Sequence, residues 1–141
     1  MKKVISAIFC QGLPKRDIKN ANKVNLWALA WVGSLVIFHY GSKELWFMSP
    51  LMIAVAVITN VAIGVGMVLA YRKMLIELDE MEKKIQLDAL ALSVGTTIIT
   101  FSGYSILQEL TTIPVLEPSH LILVVSATYM IGIVSGRIRY L

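Results

Sequence analysis

Four apolar stretches divide this chain, and none is interrupted by an internal proline. They run from about Val24 to Tyr40, Pro50 to Tyr71, Leu87 to Leu107 and Ser119 to Ser135. Each approaches the roughly 20 residues a helix needs to cross a bilayer. The pattern predicts an all-α membrane protein, a bundle of four transmembrane helices. Residues 24–141 would form the transmembrane domain behind a basic leader, 1–23, with a polar hairpin, 72–86, between the second and third spans.

Composition supports this assignment: 57% of the 141 residues are apolar and 16% are charged, with a mean hydropathy of +0.73. Charge then sets the orientation. Of the 13 Lys and Arg residues, all but Lys43 fall in the leader (Lys2, Lys3, Lys15, Arg16, Lys19, Lys23), the 72–86 hairpin (Arg72, Lys73, Lys83, Lys84) or the tail (Arg137, Arg139). Positive charge stays on the cytoplasmic side, so both termini are expected there. Trp27, Tyr71 and Tyr140 would mark the inner interface, and Tyr40, Trp46 and Tyr104 the outer one. The net charge of +4 is accordingly a topological signal, and no nucleic-acid partner is expected.

The leader does not read as a cleaved signal, because the apolar run Val4 to Cys10 is short and no small-residue cleavage site succeeds it. It is expected to lie as a short amphipathic segment on the inner leaflet. Bulky Phe9 before Cys10 argues against lipidation, and a lone cysteine excludes an internal disulfide.

No Gly or Pro occurs between Met67 and Val94, so the turn between spans two and three must be made by ordinary residues. Asp79 suits an N-cap, Glu82 stands three residues on, where a capping box reaches back, and Glu80 adds a carboxylate to the first turn. A third helix from Glu80 to Leu107 would be about 42 Å long at 1.5 Å per residue, against a hydrocarbon core of about 30 Å. Roughly two turns would project into the cytoplasm. There Asp79 and Lys83, and Glu80 and Lys84, are spaced for ion pairs, while Met74, Leu78, Met81 and Ile85 form an apolar stripe. Glu77, Glu80, Lys84 and Gln86 would face a soluble partner. Asp88 is the odd residue, an acid at the membrane boundary within reach of Lys84.

The segment LDEMEKKIQLDALA, Leu78 to Ala91, resembles a group of small, uncharacterised four-span bacterial membrane proteins. In that group an acidic pair, a basic pair, Ile-Gln-Leu, an acid and Ala-Leu-Ala recur in this order. Lys83, Lys84 and Asp88 match its charged positions, and Gly95, Thr96 and Thr97 its Gly/Thr-rich continuation. The resemblance covers about thirty residues; it implies a bacterial inner membrane and brings no activity with it.

Within the bilayer the recurring chemistry is small-residue packing. Thr128, Gly132 and Gly136 recur at four-residue spacing on the fourth span, and Ala56, Asn60 and Gly64 on the second. Ser93, Thr96, Thr97, Thr100 and Gly103 give the third a hydroxyl-rich side, able to bond back to its own helix or across to Asn60. A translocation path lined by Asn60, Thr97 and Thr100 is the alternative, weakened because no charge lies near the midplane. At the outer rim His39, Glu44, Glu109, Glu117 and His120 offer metal-binding side chains without the tight spacing of a dedicated site. No Ser/His/Asp arrangement, phosphate-cradling glycine loop or paired intramembrane acid is present, so neither an enzyme nor a cofactor or metal centre is expected.

These observations lead to a non-enzymatic accessory or adaptor protein that self-associates or attaches to another membrane protein. It would present Glu77, Glu80, Lys84, Gln86 and Asp88 to a cytoplasmic partner. The rival is an oligomeric transporter or channel subunit for a neutral solute.

Overall fold

The computed structural model describes residues 12–44 and 49–140, all of its regular structure helical. Among these residues four helices succeed one another: α1 (Lys15–Lys43), α2 (Pro50–Glu77), α3 (Glu80–Leu110) and α4 (Pro118–Tyr140). All four are long and apolar enough to cross a membrane, as in an integral, multi-pass membrane protein. A helix satisfies its backbone internally, the condition a chain must meet where no water is at hand. The Val4 to Cys10 segment and Trp46 lie outside the described residues.

Local chemistry sets the helix ends. At α2, the Ser49 hydroxyl accepts from the Met52 N–H at 3.3 Å and Pro50 occupies the first turn, where its missing donor costs nothing. The expected turn between α2 and α3 is confined to Leu78 and Asp79, both extended. Asp79 caps α3 by accepting from the Glu82 N–H at 2.7 Å. In the α3–α4 connection the Tyr104 hydroxyl donates to the Pro114 carbonyl at 2.7 Å. All four helices outrun the apolar stretches that announced them, α1 and α3 by the most. The 29 residues of α1 take in Lys15 to Lys23, and the 31 residues of α3 run to Leu110, about 46 Å at 1.5 Å per residue.

The chain divides into two compact units, one of Gly12–Leu78 with α1 and α2, the other beginning at Asp79 with α3 and α4. Each is an antiparallel helical hairpin. In the first, the pairing register descends from Arg16 and Asn20 beside Glu77, through Trp27 at Gly66 and Trp31 at Gly64, to Ser34 at Asn60. In the second it runs from Glu82 beside Arg137, through Ile85 at Gly136, to Ala89 at Gly132.

Burial is inverted relative to a water-soluble domain. Among the described residues the buried hydrophobics are Met74, Ile85, Ala89 and Ile133, whereas Asp17, Ser34, Glu82, Gln86, Ser93, Thr97 and Arg137 are buried and polar. Leu, Ile and Val side chains are largely exposed along all four helices. In hydrocarbon an outward Leu costs nothing, and polar groups gain most by facing another helix.

Candidate functional site

Polar side chains concentrate on either side of the Leu78–Asp79 turn, each set inside its own hairpin. In the first hairpin, Glu77 at the end of α2 receives three groups. The Arg16 guanidinium donates to its backbone carbonyl at 2.5 Å, and the Asn20 amide donates to Oε2 at 2.6 Å. Lys73, one turn back, stands 3.9 Å from Oε1. Arg16 also pairs with the buried Asp17 carboxylate at 3.3 Å. Because α2 ends here, its last carbonyls lack intrahelical partners, and a guanidinium is well suited to satisfy one.

The second hairpin carries a buried ion pair. Arg137 in the last turn of α4 meets Glu82 in the first turn of α3 through two parallel bonds, Nε to Oε1 at 3.2 Å and a terminal nitrogen to Oε2 at 3.1 Å. The two side chains are 7% and 5% exposed. The planar fork of Arg matches a carboxylate in this two-point manner. One turn further along α3, the Gln86 side-chain oxygen accepts from the Tyr129 hydroxyl. Beneath this polar layer the helices approach closely. A Cβ at Gly132 would lie 2.8 Å from the Ala89 Cβ and 2.9 Å from its Cα, and one at Gly136 would lie 2.8 Å from Ile85 Cγ2. Only a residue without a side chain fits against α3 there.

Several expectations change in this light. Glu82 caps nothing with its carboxylate; it turns instead to Arg137, since a buried guanidinium is a stronger partner than a backbone amide. Gln86, expected to face a soluble partner, is buried, 7% exposed. It shares a helix face with Glu82 and Ala89, and that face is the seam with α4. Met81 leaves the expected apolar stripe and is 44% exposed. Lys83 lies 3.9 Å from Glu80, three residues away, in place of the anticipated pairing with Asp79. The Lys84 ammonium sits 5.8 Å from the centre of the Tyr140 ring. Glu77 is drawn inward by Asn20. Glu80, Lys84 and Asp88 stay outward on α3, spaced four apart and opposite the buried stripe of Glu82, Ile85, Gln86, Ala89, Ser93 and Thr97.

Small and hydroxyl-bearing residues pack within each hairpin. Asn60 donates to the Ser34 hydroxyl at 2.7 Å, a bond between α1 and α2. Gly64 lies against Trp31. Ala56 and Asn60 line a cleft of about 450 Å³ with Leu35, Phe38, Ser42, Ile53 and Val57. Thr97 is buried and bonds back to the Ser93 carbonyl at 2.7 Å, as Thr128 does to that of Val124 at 2.6 Å. Thr100 keeps the phase of the α3 stripe but lies one turn beyond its buried end and is exposed. Among the described residues no buried side-chain nitrogen or oxygen lacks a partner, and no group of three His, Cys, Asp or Glu residues is placed to hold a metal ion.

Arg16, Asn20, Ser34, Glu82, Tyr129 and Arg137 were not singled out by the sequence as contact residues. One signal was available: Glu82, Gln86, Ala89, Ser93 and Thr97 recur at helical spacing and are all polar or small. Comparison with protein-family models returns no match, and no curated protein or solved structure matches the chain significantly.

Proposed function

We propose that this chain is a non-enzymatic accessory protein of the bacterial inner membrane, with both termini cytoplasmic, that presents the outward face of α3 to a soluble partner. The observation that carries this reading is the division of labour on the first turns of α3. One face is committed to α4 through Glu82, Ile85, Gln86 and Ala89. The opposite face leaves Glu80, Lys84 and Asp88 exposed in an acid-base-acid row beside Met81 and Leu87. The Glu80 side chain is 96% exposed and its ion-pair contact with Lys83 is long, at 3.9 Å. Such pairs contribute little to stability, so the row is free to exchange its contacts for a partner's.

The length of α3 supports a projecting end, since about 46 Å of helix exceeds a core of about 30 Å. The positive-inside distribution supports a cytoplasmic location for that end, and the likeness of Leu78 to Ala91 to small bacterial four-span proteins favours an inner membrane. The base of the row is also firmly held: a bidentate ion pair and a glycine-mediated seam keep the inner face still while the outer face is read. A transport path is less well supported, because Asn60 spends its amide on Ser34 and Thr97 its hydroxyl on its own helix.

The test is in-cell crosslinking and then purification of the intact protein in mild detergent. The wild type should retain a specific soluble protein that E80K/K84E loses at equal expression. Recovery of the same set of proteins with both forms would overturn the adaptor reading.

A further inference from the structure

The first hairpin carries a second charged surface that the α3 row does not explain. Arg16 on α1 and Lys73 on α2 both reach Glu77, the first at its backbone carbonyl and the second at its carboxylate. Lys19 and Lys23 lie three and seven residues after Arg16, the spacing that keeps side chains on one side of a helix. Both are exposed. Neither forms an ion pair or side-chain hydrogen bond among the described residues, for the nearby carboxylates are taken: Asp17 by Arg16, and Glu77 by Asn20 and Lys73. This side of α1 thus carries uncompensated positive charge at the edge of an apolar helix.

The apolar half of the same side of α1 identifies the occupant. Continuing by threes and fours from Lys19 and Lys23, the stripe reaches Leu26, Ala30, Gly33 and Ile37. Leu26 and Ile37 are 68% and 58% exposed, and nothing lies within 4 Å of where a Gly33 Cβ would be. Trp27, one turn past Lys23, has its ring against Gly66 and marks the boundary where cations give way to hydrocarbon. A soluble anionic partner would meet only the charged half of this stripe. A phospholipid with an anionic headgroup matches both halves, its phosphate beside the ammonium groups and an acyl chain along the open side of α1 at Gly33.

We propose that this side of α1 is a binding site for an anionic phospholipid, with Lys19 and Lys23 at the headgroup. The site accounts for clustered cations that a topological signal alone does not require to share one face, since juxtamembrane Lys and Arg attract anionic lipid within a Debye length.

The experiment uses the full chain in vesicles of equal parts phosphatidylcholine and phosphatidylglycerol, with bromine on the acyl chains of one lipid or the other, and reads tryptophan fluorescence. The wild type should be quenched more by brominated phosphatidylglycerol, corresponding to a preference of roughly three-fold or more. K19Q/K23Q should abolish the preference, K19R/K23R should keep it, and K83Q/K84Q, which removes the same charge from α3, should leave it unchanged. Equal quenching of the wild type by the two lipids would overturn the proposal without reference to any variant. Equal loss in K83Q/K84Q would also overturn it, by reducing the effect to net charge.

Discussion

Glu82 and Arg137 are tolerable in a buried seam because they pair through two parallel bonds. Removing one partner of such a pair leaves an uncompensated buried charge and costs about 3–5 kcal/mol, whereas replacing both by apolar side chains is often close to neutral. R137M alone should therefore lower the unfolding midpoint in an SDS titration sharply, and E82L/R137M should recover most of that loss. A double variant worse than the single would show that the pair adds stability rather than cancelling its own desolvation. The glycines of α4 are equally exacting. G132V must push aside Ala89, including its backbone, and overpacking of this kind costs about 1–3 kcal/mol. G103A meets no neighbour within 4 Å and should be neutral or slightly stabilising in the same titration, as Ala favours a helix by up to about 1 kcal/mol.

At the scale of the helix, the turn at Leu78 and Asp79 was legible because capping is a local matter. An acid with a short side chain, three residues ahead of an amide in need of an acceptor, specifies its own geometry. D79A should destabilise the start of α3 by about 1 kcal/mol, seen as faster hydrogen exchange at the Glu82 amide, while D79S should largely preserve protection. The end of α1 that holds Lys15 to Lys23 was less legible, since polar residues read as a leader even when they continue a helix without a break. The Asn60 to Ser34 bond joins α1 to α2. N60L should cost only about 0.6 kcal/mol, the average for such bonds between membrane helices. A large loss of stability from this substitution would show that Asn60 supports more than one contact.

For the whole molecule, the charge distribution predicts which positions each compartment can reach. In a C10S background, S42C should be labelled from outside the cell by an impermeant maleimide, and K83C only after the membrane is opened; the reverse pattern would invert the topology and with it the cytoplasmic partner. The helical kind of the four described spans and the suitability of Asp79 as a cap were determined by the sequence alone, which left open whether the hairpin turns there or a few residues earlier. Apolar length and capping depend on residues close together in the chain, and each stretch can be judged without knowing its neighbours. Which polar residues face inward was decided only by the tertiary structure. Gln86 and Glu80 are both strongly polar and lie on the same helix, yet one is buried against Tyr129 and the other stands in the open. The difference comes from the register of α3 against α4, which brings Glu82 to a partner 55 residues away. That register is set by where two glycines let the backbones close, a property of the pair of helices and of neither one alone.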